Sequence, residues 1–212
     1  MENASALLLL GLIYTIILGG LTWLRREGLS AQFAIESITL TVVVSGVVFL
    51  TQVQFHPALF VILLYLVTMR IRLLVDWANN MARKGDFSDA ERFYEFTFRL
   101  FPDPISKLMI KVNQGVCWLQ QRKLDEAIFV FIDILNKENE GDLGIKYKAA
   151  THYNLAVAYR RKGMESQAIV EFNRVLDVLP ASVYAHRAEA ALNREKHFDT
   201  DVKDDMTQDD VS

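Results

Sequence analysis

Residues 149–182, AATHYNLAVAYRRKGMESQAIVEFNRVLDVLPAS, carry the pattern on which the fold of this 212-residue chain turns. Apolar residues recur there at helical spacing on both sides of Gly163. Glycine closes a helix through a left-handed cap, and Pro180 prevents a second helix from continuing, so the stretch predicts two short antiparallel helices. The same ingredients return upstream. Residues 71–104 keep Trp77, Ala78, Gly85, Ala90, Tyr94 and Pro102 in register. Residues 108–141 keep Gly115, Trp118, Ala127 and Phe131, but place Arg122 where the turn glycine belongs and Asn139 where the proline belongs. Packing gives the reason for the pattern: small residues let two helices approach, and aromatic rings fill the space between them. Glu138 to Lys146 reads as a longer loop before the third unit.

In residues 149–182, Leu155, Ala156, Tyr159, Gly163, Ala168, Phe172 and Pro180 stand where the tetratricopeptide repeat has its characteristic residues, and the unit length of about 34 residues agrees. The chain therefore resembles that family over about half its length. The resemblance implies an all-α fold in which some three helix pairs stack into a superhelix, closed by a capping helix, over residues 71–196. It also implies a concave, partner-binding groove lined by the first helix of each pair. The groove residues carried over are Asn79, Arg83, Val112, Val116, Leu119, Tyr153, Val157, Arg160 and Arg161, with Val75, Ala82, Met109, Gln120 and Ala150 beside them. Such a lining is apolar in the middle and basic toward one edge, which suits an amphipathic helix or an extended apolar peptide with acidic flanks. One branch of the family clamps a carboxylate with two Asn and three basic residues. Asn79 and Asn113 match its Asn positions, but Val75, Ala150 and Asn154 stand where the charges belong, so carboxylate capture is disfavoured. Val183 to Lys196 has Ala and Leu along one side and reads as the capping helix. Residues 197–212 read as an acidic, disordered tail. Its Asp199 and Asp201 lack the glycine and closing glutamate of a calcium loop, and no metal site is expected there.

The front of the chain is written for a different solvent. Ala4 to Leu24 is free of charge and long enough for a ~30 Å hydrocarbon layer. Its acidic start and its Arg25-Arg26 flank argue against a cleaved signal. Two further apolar runs follow, Ile38 to Val53 and Ala58 to Met69, separated by Gln54-Phe55-His56-Pro57, with Pro57 at a helix start. Each is short for a span, and a re-entrant hairpin is the alternative to full crossing. The expectation is three transmembrane helices, about 4–24, 38–53 and 58–74. Arg25, Arg26, Arg70 and Arg72 then lie on one side, which the positive-inside rule makes cytoplasmic, with the N-terminus outside. Glu36 reads as interfacial, and Thr39, Thr41, Ser45 and Gly46 as helix-packing residues. With no Gly or Pro between Ala58 and Lys84, the third span is expected to run unbroken into the first repeat helix as a rod of about 40 Å.

Composition narrows the function further. A net charge of −3, with six Asp against one Lys after residue 198, gives nucleic-acid binding no support. The single cysteine, Cys117, lies on an apolar helical face and reads as a buried free thiol. The four His are scattered, His152 reading as a helix-surface residue, and no catalytic motif or cofactor motif is present. The sequence thus predicts no enzyme and no cofactor. It points to a membrane-anchored scaffold or assembly factor that holds a peptide or helix of a membrane protein complex, the alternative being a permanent accessory subunit of such a complex.

Overall fold

The computed structural model of the chain describes residues 2–24, 31–137 and 144–194, and the regular structure among them is entirely α-helical. Helices α1 (Glu2–Leu24) and α2 (Ala31–Thr51) are apolar on all sides, so neither has the single greasy stripe of a helix that packs in water. At 23 and 21 residues they run about 34 and 32 Å, and both are long and apolar enough to cross a membrane. Helix α3 (Pro57–Thr68) opens on Pro57, and the His56 Nδ1 accepts the Ala58 N–H at 3.2 Å. Its 12 residues cover only about 18 Å.

The second apolar helix was expected to begin at Ile38 but starts seven residues earlier, at Ala31. The turn before Ile38 can lie inside it because Glu36 is fully engaged. Gln32 Nε2 donates to it at 2.6 Å, and the Arg70 guanidinium grips both carboxylate oxygens at 2.5 and 2.8 Å. Helices α1 and α2 then meet along a seam of small polar residues. Ser37, Thr41 and Ser45 are buried, Thr15 and Ser37 share a 2.6 Å hydrogen bond, and Gly11 lies against Thr41. Thr39 faces outward instead. Phe60 and Leu64 of α3 bury beside Leu7 of α1, and Tyr14 and Thr68 join hydroxyls at 2.6 Å. Since α1 and α2 are antiparallel and α3 returns alongside α1, Met69 emerges at the end of the bundle where α1 finishes and α2 begins.

The unbroken rod expected from Ala58 to Lys84 does not form, and the third apolar segment ends at Thr68, not residue 74. Helix α4 (Arg70–Lys84) leaves α3 at a bend of 67°. Two side chains intrude on the backbone ladder there. The Thr68 hydroxyl donates to the Leu64 carbonyl at 2.7 Å, and Arg70 Nη1 donates to the Val67 carbonyl at 2.8 Å, the acceptor a straight helix offers to Ile71.

Beyond the bend the chain forms three helix pairs: α4 with α5 (Phe87–Phe98), α6 (Pro104–Gln120) with α7 (Leu124–Asn136), and α8 (Ile145–Arg161) with α9 (Glu165–Val178). Residues 183–194 form α10. Each within-pair turn places one residue in the left-handed region, Gly85 (φ 91°), Arg122 (φ 62°) and Gly163 (φ 78°). The next residue's N–H then reaches five residues back in each turn, from Asp86 to Met81, Lys123 to Trp118 and Met164 to Tyr159. Arg122 therefore adopts the geometry of the glycine it replaces. The small residues Ala78, Ala90, Gly115, Ala127, Ala156 and Ala168 are buried where paired helices touch, and Tyr94, Phe131 and Phe172 are buried beside them. Three linked cores result, one between each pair and the next element, and α10 closes the last with Ala185, Ala188 and Ala191. Ser182 caps α10 by accepting the Ala185 N–H at 3.0 Å. Ile145 and Lys146, expected in a loop, already belong to α8. Arg25, Arg26, Asn139 and the tail 197–212 lie outside the described residues.

Candidate functional site

Two places collect side chains that a partner or ligand could meet: the face formed by the first helix of each pair, and the cleft where that face meets the apolar bundle. On the first, much of the apolar lining is used up by packing. Val112 and Leu119, expected in the groove, are only 4% and 5% exposed and belong to the core between α6, α7 and α8. Val116 and Val157 are half-buried against the same core. Asn79 donates to Asn113 at 3.0 Å and accepts from the Tyr94 hydroxyl at 2.5 Å, while Asn113 donates to the Met109 carbonyl. The two Asn that match a carboxylate clamp are thus bound to each other. Tyr153 packs its ring on Phe172 and on Tyr184 of α10, and the Arg160 guanidinium lies 5.3 Å over the Phe172 ring. Arg161 is exposed and donates to the Leu119 carbonyl at 2.9 Å. Arg83, Gln120 and Arg161 form the outward ridge of this face, with Asn79, Val116, Val157 and Arg160 half-open beneath it.

The second place is a cavity of about 150 Å³ between the bundle and the array. Glu36 lines it from the bundle side, with Arg70, Arg72, Asp103, Ser106 and Tyr147 on the array side. Asp103 starts α6: its Oδ1 accepts the Ser106 N–H at 2.9 Å and its Oδ2 the Ser106 hydroxyl at 2.7 Å. Sequence reasoning placed Glu36 and Arg70 near an interface without pairing them, because they stand 34 residues apart. The Asp103-Pro104 pair is a cap-then-proline signal that sequence reasoning did not use, and nothing in it says that the helix start abuts the bundle.

Among the titratable groups of the array, the Asp133 and Glu91 carboxyls depart from their ordinary values through their partners, and Tyr94 and Cys117 through burial. Hydrogen bonds from Lys111, and then Lys137, hold the Asp133 carboxyl below the usual carboxylate range. Burial pushes Glu91 upward, but Gln121, Lys123 and Trp118 outweigh it, and the carboxyl ends below its ordinary value. Burial raises Tyr94 and Cys117; the free thiol at Cys117 is therefore protonated at neutral pH and a poor nucleophile. His152 was expected on a helix surface and is instead 5% exposed, its Nδ1 2.6 Å from Oε2 of the equally buried Glu171, which also accepts from Arg174 at 2.9 Å. His152 and Glu171 lie on facing helices, α8 and α9, so this contact fastens the third pair across its turn. Among the described residues no group of three or more His, Cys, Asp or Glu is arranged to hold a metal.

Set against models of known protein families, curated proteins and solved structures, the chain matches none.

Proposed function

We propose that this chain is an integral-membrane, tetratricopeptide-type scaffold or assembly factor without catalytic activity, in which the helix-pair array presents a protein-binding face beside the bilayer. One observation carries the reading. An array with small residues at each within-pair contact is locked, through Glu36 and Arg70, to the end of a hairpin whose helices are of membrane length. The bend at Met69 supports a module aimed by that lock and not by a straight rod. Helix α3 counts as the third crossing, and α4 beyond the bend belongs to the array. The positive-inside rule applied to Arg25, Arg26, Arg70 and Arg72 supports an orientation with the array in the cytoplasm and the N-terminus outside.

The binding face is the ridge Arg83, Gln120 and Arg161 with the half-open Asn79, Val116, Val157 and Arg160. Its occupant is a peptide or helix of a membrane complex that offers apolar and acidic groups. Photo-crosslinkers at positions 83, 120 and 161, in native membranes, should capture a protein partner, and Arg83→Glu with Arg161→Glu should abolish the capture. Unchanged capture by that double variant moves the interface elsewhere. Tyr153 is a poor probe, since its ring holds α10.

A permanent accessory subunit is the second reading. It is favoured by a wholly apolar crevice of about 480 Å³ between α1 and α3, lined by Leu10, Ile13, Tyr14, Ile62 and Tyr65, in which a partner's span would settle. A fixed, near-stoichiometric partner set on purification selects the subunit; a changing set of immature intermediates selects the assembly factor.

A further inference from the structure

We propose that Phe101 anchors the helix-pair array to the bilayer, its ring seated in the interfacial layer of the same membrane that α2 crosses; this rests on the spanning reading of α2. Phe101 is 86% exposed, more than any other large apolar side chain among the described residues, and its backbone is in the left-handed region at φ 52°. In water the bare ring is unfavourable because it orders solvent around it; the positive φ, a steric cost in any solvent, shows that the loop is held in this shape by its surroundings.

Its position supplies the missing partner. The Phe101 carbonyl accepts from Gln32 Nε2 at 3.0 Å, and the neighbouring Leu100 carbonyl lies 3.4 Å from Arg70 Nη2. Gln32 is the second residue of a 21-residue apolar helix about 32 Å long, so the edge of a ~30 Å hydrocarbon slab falls close to it. Phe101 is therefore held at the boundary of lipid. Ile35, less than one turn along α2, is 64% exposed, which brings lipid to within a turn of the contact. Arg99, two residues before Phe101, is exposed and suited to headgroup phosphates. A loop with a cation, a bare ring and a buried Pro102 behind it has the chemistry of an interfacial anchor. With the ring in lipid and Arg70 on Glu36, the array is fixed at two points and its tilt at the Met69 bend is set.

The test uses the full chain with Cys117→Ala, reconstituted in phosphatidylcholine vesicles that carry a nitroxide near the headgroup. An environment-sensitive fluorophore is placed at Arg99→Cys, and in separate samples at Arg122→Cys and Val47→Cys. The label at 99 should be quenched by the lipid nitroxide several-fold more than the label at 122, and adding Phe101→Ser should remove most of that difference. Equal quenching at 99 and 122 overturns the proposal, as does quenching at 99 that Phe101→Ser leaves unchanged. The outward-facing position 47 of α2 reports on the spanning reading by itself: if lipid fails to quench it, that reading falls and the anchor with it.

Discussion

At Gly11 a Cβ would come within 2.1 Å of the Thr41 hydroxyl, and at Gly115 within 2.6 Å of the Phe131 ring, so the bundle and the array both depend on a glycine where two helices touch. What lies against the glycine differs. In the bundle it is a seam of hydroxyls, Thr15, Ser37 and Thr41, with apolar side chains such as Ile16, Val42 and Val43 turned outward. In the array it is an aromatic core, with charges turned outward. Lipid is as apolar as leucine and gives no hydrophobic reason for helices to associate, so close approach and hydrogen bonds must hold them. Water rewards burial directly, and rings do the work.

The sharpest way to break this comparison is Phe131→Ala. It should destabilise the array by about 3–5 kcal/mol, read as a lowered melting transition of the full chain in detergent. A cysteine pair joining α1 to α2 should crosslink as before; loss of that crosslink would mean the two regions are not separate. Gly11→Val makes the reciprocal cut, at a cost of about 1–3 kcal/mol from overpacking. It should abolish the α1–α2 crosslink while the array's transition stays put. Arg70→Ala removes the joint between the regions and strands Glu36, at a cost of about 1–2 kcal/mol. Spin labels on α2 and α6 should report a broadened distance distribution, and the swap Glu36→Arg with Arg70→Glu should narrow it again. Within the array, Arg122→Gly should stabilise by about 1 kcal/mol, since glycine adopts the left-handed turn without strain; an unchanged melting temperature would show that the side chain compensates.

The smallest effect is one of pH. The Asp133 carboxyl is depressed in the folded chain by Lys111 and Lys137, so its contribution is present above the unfolded carboxylate value and lost as pH falls through the folded one. Partial exposure limits it to about 0.5–1 kcal/mol. The melting temperatures of the parent and Asp133→Asn should differ at neutral pH and converge in acid; a gap that widens in acid would reverse the sign.

Much of the array was legible because its determinants are local. Ala90, Tyr94 and Gly85 lie within one helix pair of each other, and their residue types alone dictate a close contact, a filler and a turn. The site was less legible for a related reason. Whether Val112 and Leu119 line a groove or sit in a core depends on how closely α6, α7 and α8 converge, and spacing along one helix is silent on that. His152 looked like a surface residue because its partner, Glu171, is on the next helix, where a register read in isolation does not pair the two.

The sequence by itself determined that the chain is helical, that its front is apolar over membrane lengths, and that its remainder is built of paired helices with turns at Gly85 and Gly163; that Arg122 takes the same left-handed turn came from the structure. Those properties follow from backbone preference and hydrophobic period, which act over a few residues. Only the tertiary structure decided that α3 stops at Thr68 and bends by 67°, that Glu36 accepts Arg70, and that Phe101 rests against Gln32. Each of these pairs or redirects groups far apart along the chain, and which of many possible partners a charged or polar group takes is settled by packing geometry after the helices exist.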